Sequence, residues 1–371
     1  MAYTSPNVPS DNYIIIDTTT GSVIAEKGAD EELGIASLTK IMTSYVVFKE
    51  IQNGTLSLND QVTVSKKAWE TKGSRMFIEV GTQVTVDELL NGLISVSGND
   101  AAVALAEHIT GSEDRFAELM DAYAAKLGME NTKFANVSGL PSKKEAYSSA
   151  RDLSILSKAL ITEHPEMYKK FSIKSFTYND ITQKNRNALI HESSSYDGLK
   201  TGYTMGAGYC LAASFAKDDR RLITIILGAD SPAQRFSDAK TLTNFGFRRF
   251  KNVKPVNEES AIHEIDVFFG EKDSVKVYPQ EDFQFTIPRS LTNEDESKDI
   301  TLKAELNGNG DNGAMLFAPF EDNFVVGELT VQYKGETVAT VPLVTREGVN
   351  EGSWWTKLED WVTLKYISLA G

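Results

Sequence analysis

Two side chains that can cooperate in acyl transfer stand one helical turn apart near the start of the chain. Ser37 and Lys40 are followed by Ile41, Met42 and Tyr45, whose apolar spacing predicts a helix beginning close to Ser37. Side chains three residues apart on a helix can meet. A lysine amine kept neutral by burial and a nearby cation can take the proton of a serine hydroxyl. The pair therefore indicates a nucleophile and its base, although the same S-x-x-K spacing recurs twice later in the chain and is not specific alone.

Two further short motifs follow in an order that adds weight to this pair. Ser97-Gly98-Asn99 lies between two helical patterns, 87–96 and 101–109, which predicts a hydroxyl and an amide on an exposed interhelical loop. Lys200-Thr201-Gly202 comes directly before a predicted hairpin, as a strand whose glycine lets another backbone approach closely. Each motif alone is weak evidence for an active site. The three motifs in this order, at a helix start, an interhelical loop and a strand, are strong evidence.

Strand patterns stand at both ends of the first 255 residues, with helical patterns between them. Residues 12–17 and 22–25 are typical of two short strands, and 208–215 with 222–227 of a second hairpin. This order predicts an α/β fold in which an antiparallel sheet, closed by both ends of the domain, is flanked by helices plus a helical subdomain. Alternating apolar residues in the later part of the chain, clearest on both sides of Lys334-Gly335, predict a following β-sandwich domain.

Charge is spread unevenly over the 371 residues, which carry 38 Lys+Arg against 52 Asp+Glu. Residues 256–351 hold 20 acidic and 7 basic side chains, and the rest of the chain is nearly neutral. We therefore expect a catalytic domain at 1–255, an acidic β-rich domain at 256–351 and a C-terminal segment at 352–371. A net charge of −14 argues against nucleic acid as a partner, and 41% hydrophobic residues exclude a disordered chain.

The C-terminal segment has the pattern of an amphipathic helix. Its apolar stripe includes Trp355, Leu358, Val362 and Tyr366, and the segment holds three of the four tryptophans of the chain. A helix docked on its own domain and an anchor lying on a membrane surface are both compatible with the pattern. Tryptophan favours the headgroup region, so we expect association with a membrane surface. No apolar run is long enough to span a membrane, and none at the start of the chain is typical of a secretory signal.

Metal ions and cofactors are not expected. The four histidines, His108, His164, His191 and His263, stand apart from one another and from any H-E-x-x-H pattern, so a metal site is not predicted. The single cysteine, Cys210, has no partner and is interpreted as a packed residue. No glycine-rich phosphate loop is present.

The ordered motifs resemble the three-motif signature of penicillin-binding proteins and serine β-lactamases. Flanking residues make the chain most similar to the low-molecular-mass D-alanyl-D-alanine carboxypeptidases of the bacterial envelope. Those flanking segments are 36–43, Gly73-Ser74-Arg75-Met76-Phe77, 148–152 and Asn185-Arg186-Asn187. The resemblance implies removal of the terminal D-alanine from peptidoglycan pentapeptide stems, acylation by β-lactam antibiotics, and a peripheral position on the periplasmic face of the cytoplasmic membrane.

The resemblance also implies roles for the residues of the first two motifs. Ser37 would be the acylated nucleophile and Lys40 its general base. Ser97 would return the proton to the leaving D-alanine. Asn99 would hold Lys40 and the peptide chain of the substrate.

The third motif and two arginines would bind the substrate. Lys200 would lower the pKa of Lys40 by like charge and attract the substrate. The backbone N–H groups of Ser37 and Tyr203 would form an oxyanion hole, and Thr201 and Arg235 would bind the terminal carboxylate. The complete set of expected substrate-binding residues is Lys200, Thr201, Gly202, Tyr203, Arg235 and Arg186.

Two alternatives stay open from the sequence. A class A β-lactamase would need an E-x-x-L-N pattern between the second and third motifs, and the chain has none between Asn99 and Lys200. A non-catalytic envelope scaffold would keep the fold and use the acidic domain for binding. The intact Ser37, Lys40 and Ser97 argue against that scaffold.

Overall fold

A computed structural model describes residues 6–289, 296–309 and 315–370. The chain divides into two compact units, Met1–Phe250 and Lys251–Gly371. The α-helices of the first unit are α1 Thr39–Gln52, α2 Lys66–Glu70, α3 Val86–Ser95, α4 Asn99–Thr110, α5 Glu113–Leu127, α6 Ala150–Glu163, α7 Pro165–Tyr168, α8 Leu189–Glu192 and α9 Pro232–Arg249. Its strands are β1 Asn12–Asp17, β2 Val23–Lys27, β3 Gln61–Thr63, β4 Gln83–Thr85, β5 Ser175–Tyr178, β6 Ile181–Lys184, β7 Tyr196–Thr204, β8 Gly208–Lys217 and β9 Arg220–Ala229. Short 3₁₀ helices lie at Ala36–Leu38 and Lys169–Ser172.

The main sheet of the first unit has five antiparallel strands in the order β2-β1-β9-β8-β7. Strand β1 therefore lies between its own hairpin partner and β9, so the two ends of the unit meet in one sheet. Both predicted hairpins and the helical insertion between them are present, which confirms the expected fold class. Strand β7 lies at one edge of this sheet.

The consecutive apolar residues of β1 explain why the sheet is covered on both faces. Ile14 and Ile16 belong to the large apolar core formed with helices of the insertion, such as α1 and α6. Tyr13 and Ile15 belong to a second core that includes Leu242 of α9. Successive strand residues point to opposite faces, so this period of two places one layer of helices on each side of the sheet.

Local signals set the ends of the helices that flank the second motif. Thr85 and Glu88 form a capping box that starts α3. The chain turns after Ser95, where Ser97 has a φ of +63°, and α4 starts at Asn99 with Gly98 as its N-cap residue. Ser97 thus lies on the expected interhelical loop, whereas Asn99 is already helical. The expectation that this loop is exposed was wrong, because Ser97 and Asn99 are both buried and the 72–78 segment bonds to Asn99 and Asp100.

The second unit is rich in β-structure. Its elements are β10 Phe250–Val256, which begins at the boundary, β11 His263–Phe268, β12 Ser274–Pro279, β13 Phe283–Pro288, a 3₁₀ helix Glu296–Asp299, β14 Ile300–Leu306, β15 Leu316–Phe317, β16 Val325–Tyr333, β17 Glu336–Thr345 and α10 Trp354–Ala370. A six-stranded sheet has the order β14-β16-β17-β12-β11-β15, and β10 pairs with β13. Ile287 of the small sheet shares a core with Val277 and Leu343 of the large one. The predicted strands on both sides of Lys334-Gly335 are confirmed.

Candidate active site

The first motif places a hydroxyl beside a buried amine. Ser37 lies half-buried in the 3₁₀ helix that leads into α1, and Lys40 occupies the first turn of α1. The Lys40 Nζ is 3.0 Å from the Ser37 Oγ. Leu38 and Ile41, both fully buried, hold this turn in the large core. The predicted contact between the two motif side chains is present.

Burial and neighbouring cations shift the protonation of Lys40. Its pKa lies well below 10.5, mainly because the side chain is buried, and further because Lys200 and Arg186 carry like charge, while Asp100 opposes the shift. A neutral amine has a lone pair that can accept a proton. Lys40 is thus equipped to act as a base towards the Ser37 hydroxyl.

Lys200 provides the second amine of the site. It is buried on the edge strand β7 and donates a hydrogen bond to the Thr201 carbonyl at 3.1 Å. Its pKa is lowered to about 7, mainly because the side chain is buried and in addition because Arg186 and Arg235 carry like charge. Arg186 reaches this region from the segment after β6, where its Nε donates to the Val96 carbonyl at 3.0 Å.

A glycine allows β7 to lie against the nucleophile. A Cβ at Gly202 would lie 2.9 Å from the Ile35 carbonyl oxygen and 3.1 Å from the Ser37 backbone nitrogen. The Arg235 side chain comes from α9 and donates to the Gly202 carbonyl at 2.9 Å. Tyr203 is exposed and stacks on Tyr209, with ring centroids 4.3 Å apart. The third motif and Arg235 are therefore brought to the edge of the site.

The side chains of the second motif, Ser97 and Asn99, do not make the hydrogen bonds that the resemblance implies. The Ser97 Oγ is buried and has no hydrogen-bond partner among the described residues. The Asn99 Nδ2 donates to the Lys72 carbonyl at 2.7 Å, and its Oδ1 is buried without a partner in the described chain. The expected hold of Asn99 on Lys40 is not present in this structure, because the amide is turned towards the 72–78 loop. The roles of Ser97 and Asn99 stay predictions.

Two groups of the site were not found from the sequence. The Ser138 carbonyl accepts a hydrogen bond from the Lys40 Nζ at 2.6 Å. The Asp100 carboxylate accepts from the backbone N–H groups of Met76 and Phe77 at 3.0 and 2.9 Å, which holds the loop beside Asn99. A backbone carbonyl leaves no mark in a sequence, and an aspartate in the first turn of a helix is commonly only a helix-dipole partner.

No metal ligand set accompanies these residues. Within the described parts of the chain, no group of three or more His, Cys, Asp or Glu side chains is placed to hold a metal ion. Cys210 is buried, and burial raises the pKa of its thiol to about 11. The arrangement is one of a serine, a buried amine with a lowered pKa and buried cations, which suits acyl transfer to a serine and the binding of an anionic group.

Comparison with known proteins decides the family. Residues 1–231 match the family described as D-alanyl-D-alanine carboxypeptidase. The chain belongs to the D-alanyl-D-alanine carboxypeptidase family. Residues 250–351 match the C-terminal domain of penicillin-binding protein 5. The resemblance inferred from the motifs is confirmed for both parts.

Similar carboxypeptidases extend over nearly the whole chain. The D-alanyl-D-alanine carboxypeptidase DacC of Escherichia coli K12 is 41% identical over 370 residues, which cover 98% of this chain and 90% of DacC. DacA of the same organism is 38% identical and covers 97% of this chain, with 89% of its own length matched. Penicillin-binding protein 5 of Haemophilus influenzae has a similar structure, with a TM-score of 0.83 and 36% identity over 94% of this chain and 100% of that one.

Proposed function

We propose that this carboxypeptidase-family chain removes the terminal D-alanine from peptidoglycan pentapeptide stems through an acyl-enzyme on Ser37. The observation that carries the proposal is the 3.0 Å separation between the Ser37 Oγ and the Lys40 Nζ, an amine whose pKa is well below its usual range because it is buried. Few structural sites bury a lysine without a carboxylate partner. The match of residues 1–231 to the carboxypeptidase family supplies the substrate class.

In the proposed first half-reaction, the Ser37 Oγ attacks the carbonyl carbon of the penultimate D-alanine. The hydroxyl proton passes to the neutral Lys40 Nζ as the new ester bond forms. Backbone N–H groups of Ser37 and Tyr203 would stabilise the oxyanion, a contribution on the order of 3 kcal/mol per donor. The peptide bond then breaks, and the proton reaches the leaving nitrogen of D-alanine by way of Ser97, the buried hydroxyl between α3 and α4.

In the second half-reaction, water attacks the ester carbonyl and gives its proton to the same amine. Collapse of the intermediate releases the shortened stem, and the Ser37 oxygen regains a proton. The terminal carboxylate of the substrate would bind at Thr201 and the buried cations Lys200 and Arg235, which restricts cleavage to a chain end. This local positive charge lies in a unit whose overall charge is nearly neutral.

β-Lactams are the expected inhibitors. Penicillin-binding protein D2 of Listeria monocytogenes, in a structure with ampicillin bound, is 30% identical, with a TM-score of 0.59 over 66% of this chain and all of that one. The same Ser37 attack on a β-lactam carbonyl opens the ring and leaves a stable ester. We therefore expect stoichiometric labelling of Ser37 by penicillin.

We also propose a peripheral position on the periplasmic face of the cytoplasmic membrane, because of the side chains that α10 exposes. Trp354, Trp355 and Trp361 each expose more than half of their surface, and indole rings favour the headgroup region. Among the described residues, no helix has the length and apolarity needed to cross a membrane. Flotation of the full chain with liposomes, compared with a chain ending at Glu351, tests this attachment, and equal flotation would refute it.

The activity is tested by incubating the full chain with a peptide ending in D-Ala-D-Ala and measuring released D-alanine. Ser37→Ala is expected to abolish both release and penicillin labelling. Ser237→Ala is a matched control, because Ser237 starts another S-x-x-K on α9 and is exposed. Release that persists in Ser37→Ala would refute the nucleophile. No release and no labelling by the wild type would favour a non-catalytic scaffold.

A further inference from the structure

Three consecutive residues of a loop lie along the start of α1. The Val137 carbonyl accepts a hydrogen bond from the Thr43 Oγ1 at 2.8 Å, and the Ser138 carbonyl accepts one from the Lys40 Nζ at 2.6 Å. Gly139 follows at such close range that a Cβ there would lie 1.8 Å from the Ala36 carbonyl oxygen. The direction of the Ser138 carbonyl therefore decides one of the two hydrogen bonds made by Lys40.

A single side chain ties this loop together. The Asn136 Oδ1 accepts from the backbone N–H groups of Ser138 and Gly139 at 3.1 and 2.7 Å, and from the Ser138 hydroxyl at 3.2 Å. The Asn136 Nδ2 donates to the Leu140 carbonyl at 2.9 Å. These four bonds span the peptide group whose oxygen meets Lys40.

The outer part of the same loop borders two cavities, although Val137 is fully buried in the large core. A cavity of about 330 Å³ and a second of about 260 Å³ are both lined by Asn136, Leu140 and Pro141. Spaces of this size admit water. The hydrogen bonds of Asn136 therefore act together with the packing of Val137 and Gly139 to hold the Ser138 carbonyl in place.

We propose that Asn136 is a positioning residue that aims the Ser138 carbonyl at the Lys40 amine and so turns the amine lone pair towards Ser37. A neutral primary amine has two N–H groups and one lone pair. When one N–H is donated to the carbonyl, the lone pair can accept the Ser37 proton. Without that carbonyl, the amine is free to rotate and donate an N–H to Ser37 instead, which is the wrong direction for proton transfer. The inference rests on the proposed function of Lys40 as a base.

Loss of the Asn136 side chain is expected to change the pKa of Lys40 as well as its orientation. Burial is the main cause of the lowered pKa, with Lys200 and Arg186 acting in the same direction and Asp100 against it. Opening a loop flanked by two cavities lets water reach the amine, so the pKa rises. The acid limb of the acylation profile then moves to higher pH.

The test compares Asn136→Ala, Asn136→Asp and Asn309→Ala in the full chain. Asn309 is the matched control, because its side chain also bonds a backbone N–H and a carbonyl, both of Phe317, in the other unit. Second-order acylation by a fluorescent penicillin is measured against pH, with the labelled fraction at completion. For Asn136→Ala we expect full labelling, a rate lower by about 10- to 100-fold at pH 7, and an acid limb displaced upwards. Asn136→Asp keeps the acceptor oxygen and is expected to recover part of the rate, and Asn309→Ala to match the wild type.

Either of two acylation results would overturn the role of Asn136. One is an unchanged rate and profile in Asn136→Ala. The other is a loss confined to the labelled fraction, with the same pH profile and no recovery in Asn136→Asp, which indicates folding alone. Titration of the Lys40 ¹³Cε resonance, assigned with Lys40→Met, separates this inference from the proposed function. A rise of the Lys40 pKa in Asn136→Ala supports the positioning role even in a chain that releases no D-alanine, and an unchanged pKa refutes it.

Discussion

Replacing Gly139 by alanine should damage the site more than its backbone angle alone predicts. Gly139 has a φ of +77°, and a Cβ there would lie 1.8 Å from the Ala36 oxygen and 2.4 Å from the Ala36 carbonyl carbon. Both atoms are backbone, so no side-chain rotation can relieve the overlap. The left-handed angle costs about 1–2 kcal/mol for a residue with a Cβ. Displacing the Ala36 peptide or the Gly139 loop adds about 1–3 kcal/mol.

Gly128 offers a control that separates these two costs. It ends α5 with a φ of +76°, and nothing lies within 4 Å of a Cβ built there. Gly128→Ala should therefore lose only the cost of the backbone angle, and Gly139→Ala should be less stable than it by about 1–3 kcal/mol. Ala36 directly precedes Ser37, so Gly139→Ala should also slow penicillin acylation by about tenfold or more, while Gly128→Ala stays close to the wild type.

The measurement is urea unfolding followed by the helical circular dichroism signal, together with the acylation rate at pH 7. Nine of the ten α-helices in the described residues belong to the first unit, so this signal reports mainly on the unit that contains both glycines. Equal losses of stability in the two variants, with an unchanged acylation rate for Gly139→Ala, would show that the loop does not approach Ala36 this closely.

Three further predictions concern buried charges of the first unit. Lys200→Met should raise the free energy of unfolding by about 1–4 kcal/mol at pH 6 while slowing acylation. Because burial lowers the Lys200 pKa to about 7 from 10.5, wild-type stability rises with pH between those values, and the advantage of the variant shrinks. Burial likewise lowers the pKa of His164, so the wild type should lose stability as pH falls below about 6.5, and His164→Phe should lose less. Asp17→Asn should cost about 3–5 kcal/mol, because Asp17 is fully buried and lies 2.6 Å from Arg220, which is itself buried.

Each of these is checked by urea unfolding at several pH values. A Lys200→Met variant that is less stable than the wild type at pH 6 would contradict the penalty assigned to the buried amine. If the free energy of unfolding changes with pH in the same way for the wild type and His164→Phe, His164 does not cause the loss of stability at acid pH. A loss below about 1 kcal/mol in Asp17→Asn would mean that the Arg220 pair is solvated like a surface pair.

The decline of the acylation rate at low pH follows from the lowered pKa of Lys40. The low pKa of Lys40 is set first by burial and then by Lys200 and Arg186. Activity is therefore expected to fall as pH drops through the pKa of Lys40, because the protonated amine cannot accept the Ser37 proton. Measurement of acylation between pH 4 and 9 should show one limb of this kind, and Lys40→Met should abolish it together with the rate.

Sequence patterns were sufficient for the parts of the fold that depend on neighbours along the chain. Residues 12–17 form the predicted strand β1, and both hairpins are where turn residues indicate. The Ser37 to Lys40 contact is predictable because the spacing of one helical turn brings side chains together whatever the rest of the chain does. The ordered motifs identified the family, since each motif is a short local segment.

Contacts between distant segments could be found only in the folded chain. Ser138 is 98 residues from Lys40 in sequence and contributes a backbone oxygen, which any residue type provides. The Asn99 amide likewise donates to the Lys72 carbonyl, 27 residues earlier in the chain, rather than to Lys40. Neither contact has a signature in composition or periodicity.

The sequence by itself therefore determined which residues can do the chemistry, namely the serine, the lysine beside it and the cations of the later motif. The tertiary structure decided the pKa values of these residues and the direction of their hydrogen bonds. Burial and the convergence of Lys200 and Arg186 lower the pKa of Lys40, and the loop held by Asn136 directs its hydrogen bonds. The physical reason is that helical and strand patterns depend on neighbouring residues, whereas desolvation and charge interaction depend on groups that only folding brings together.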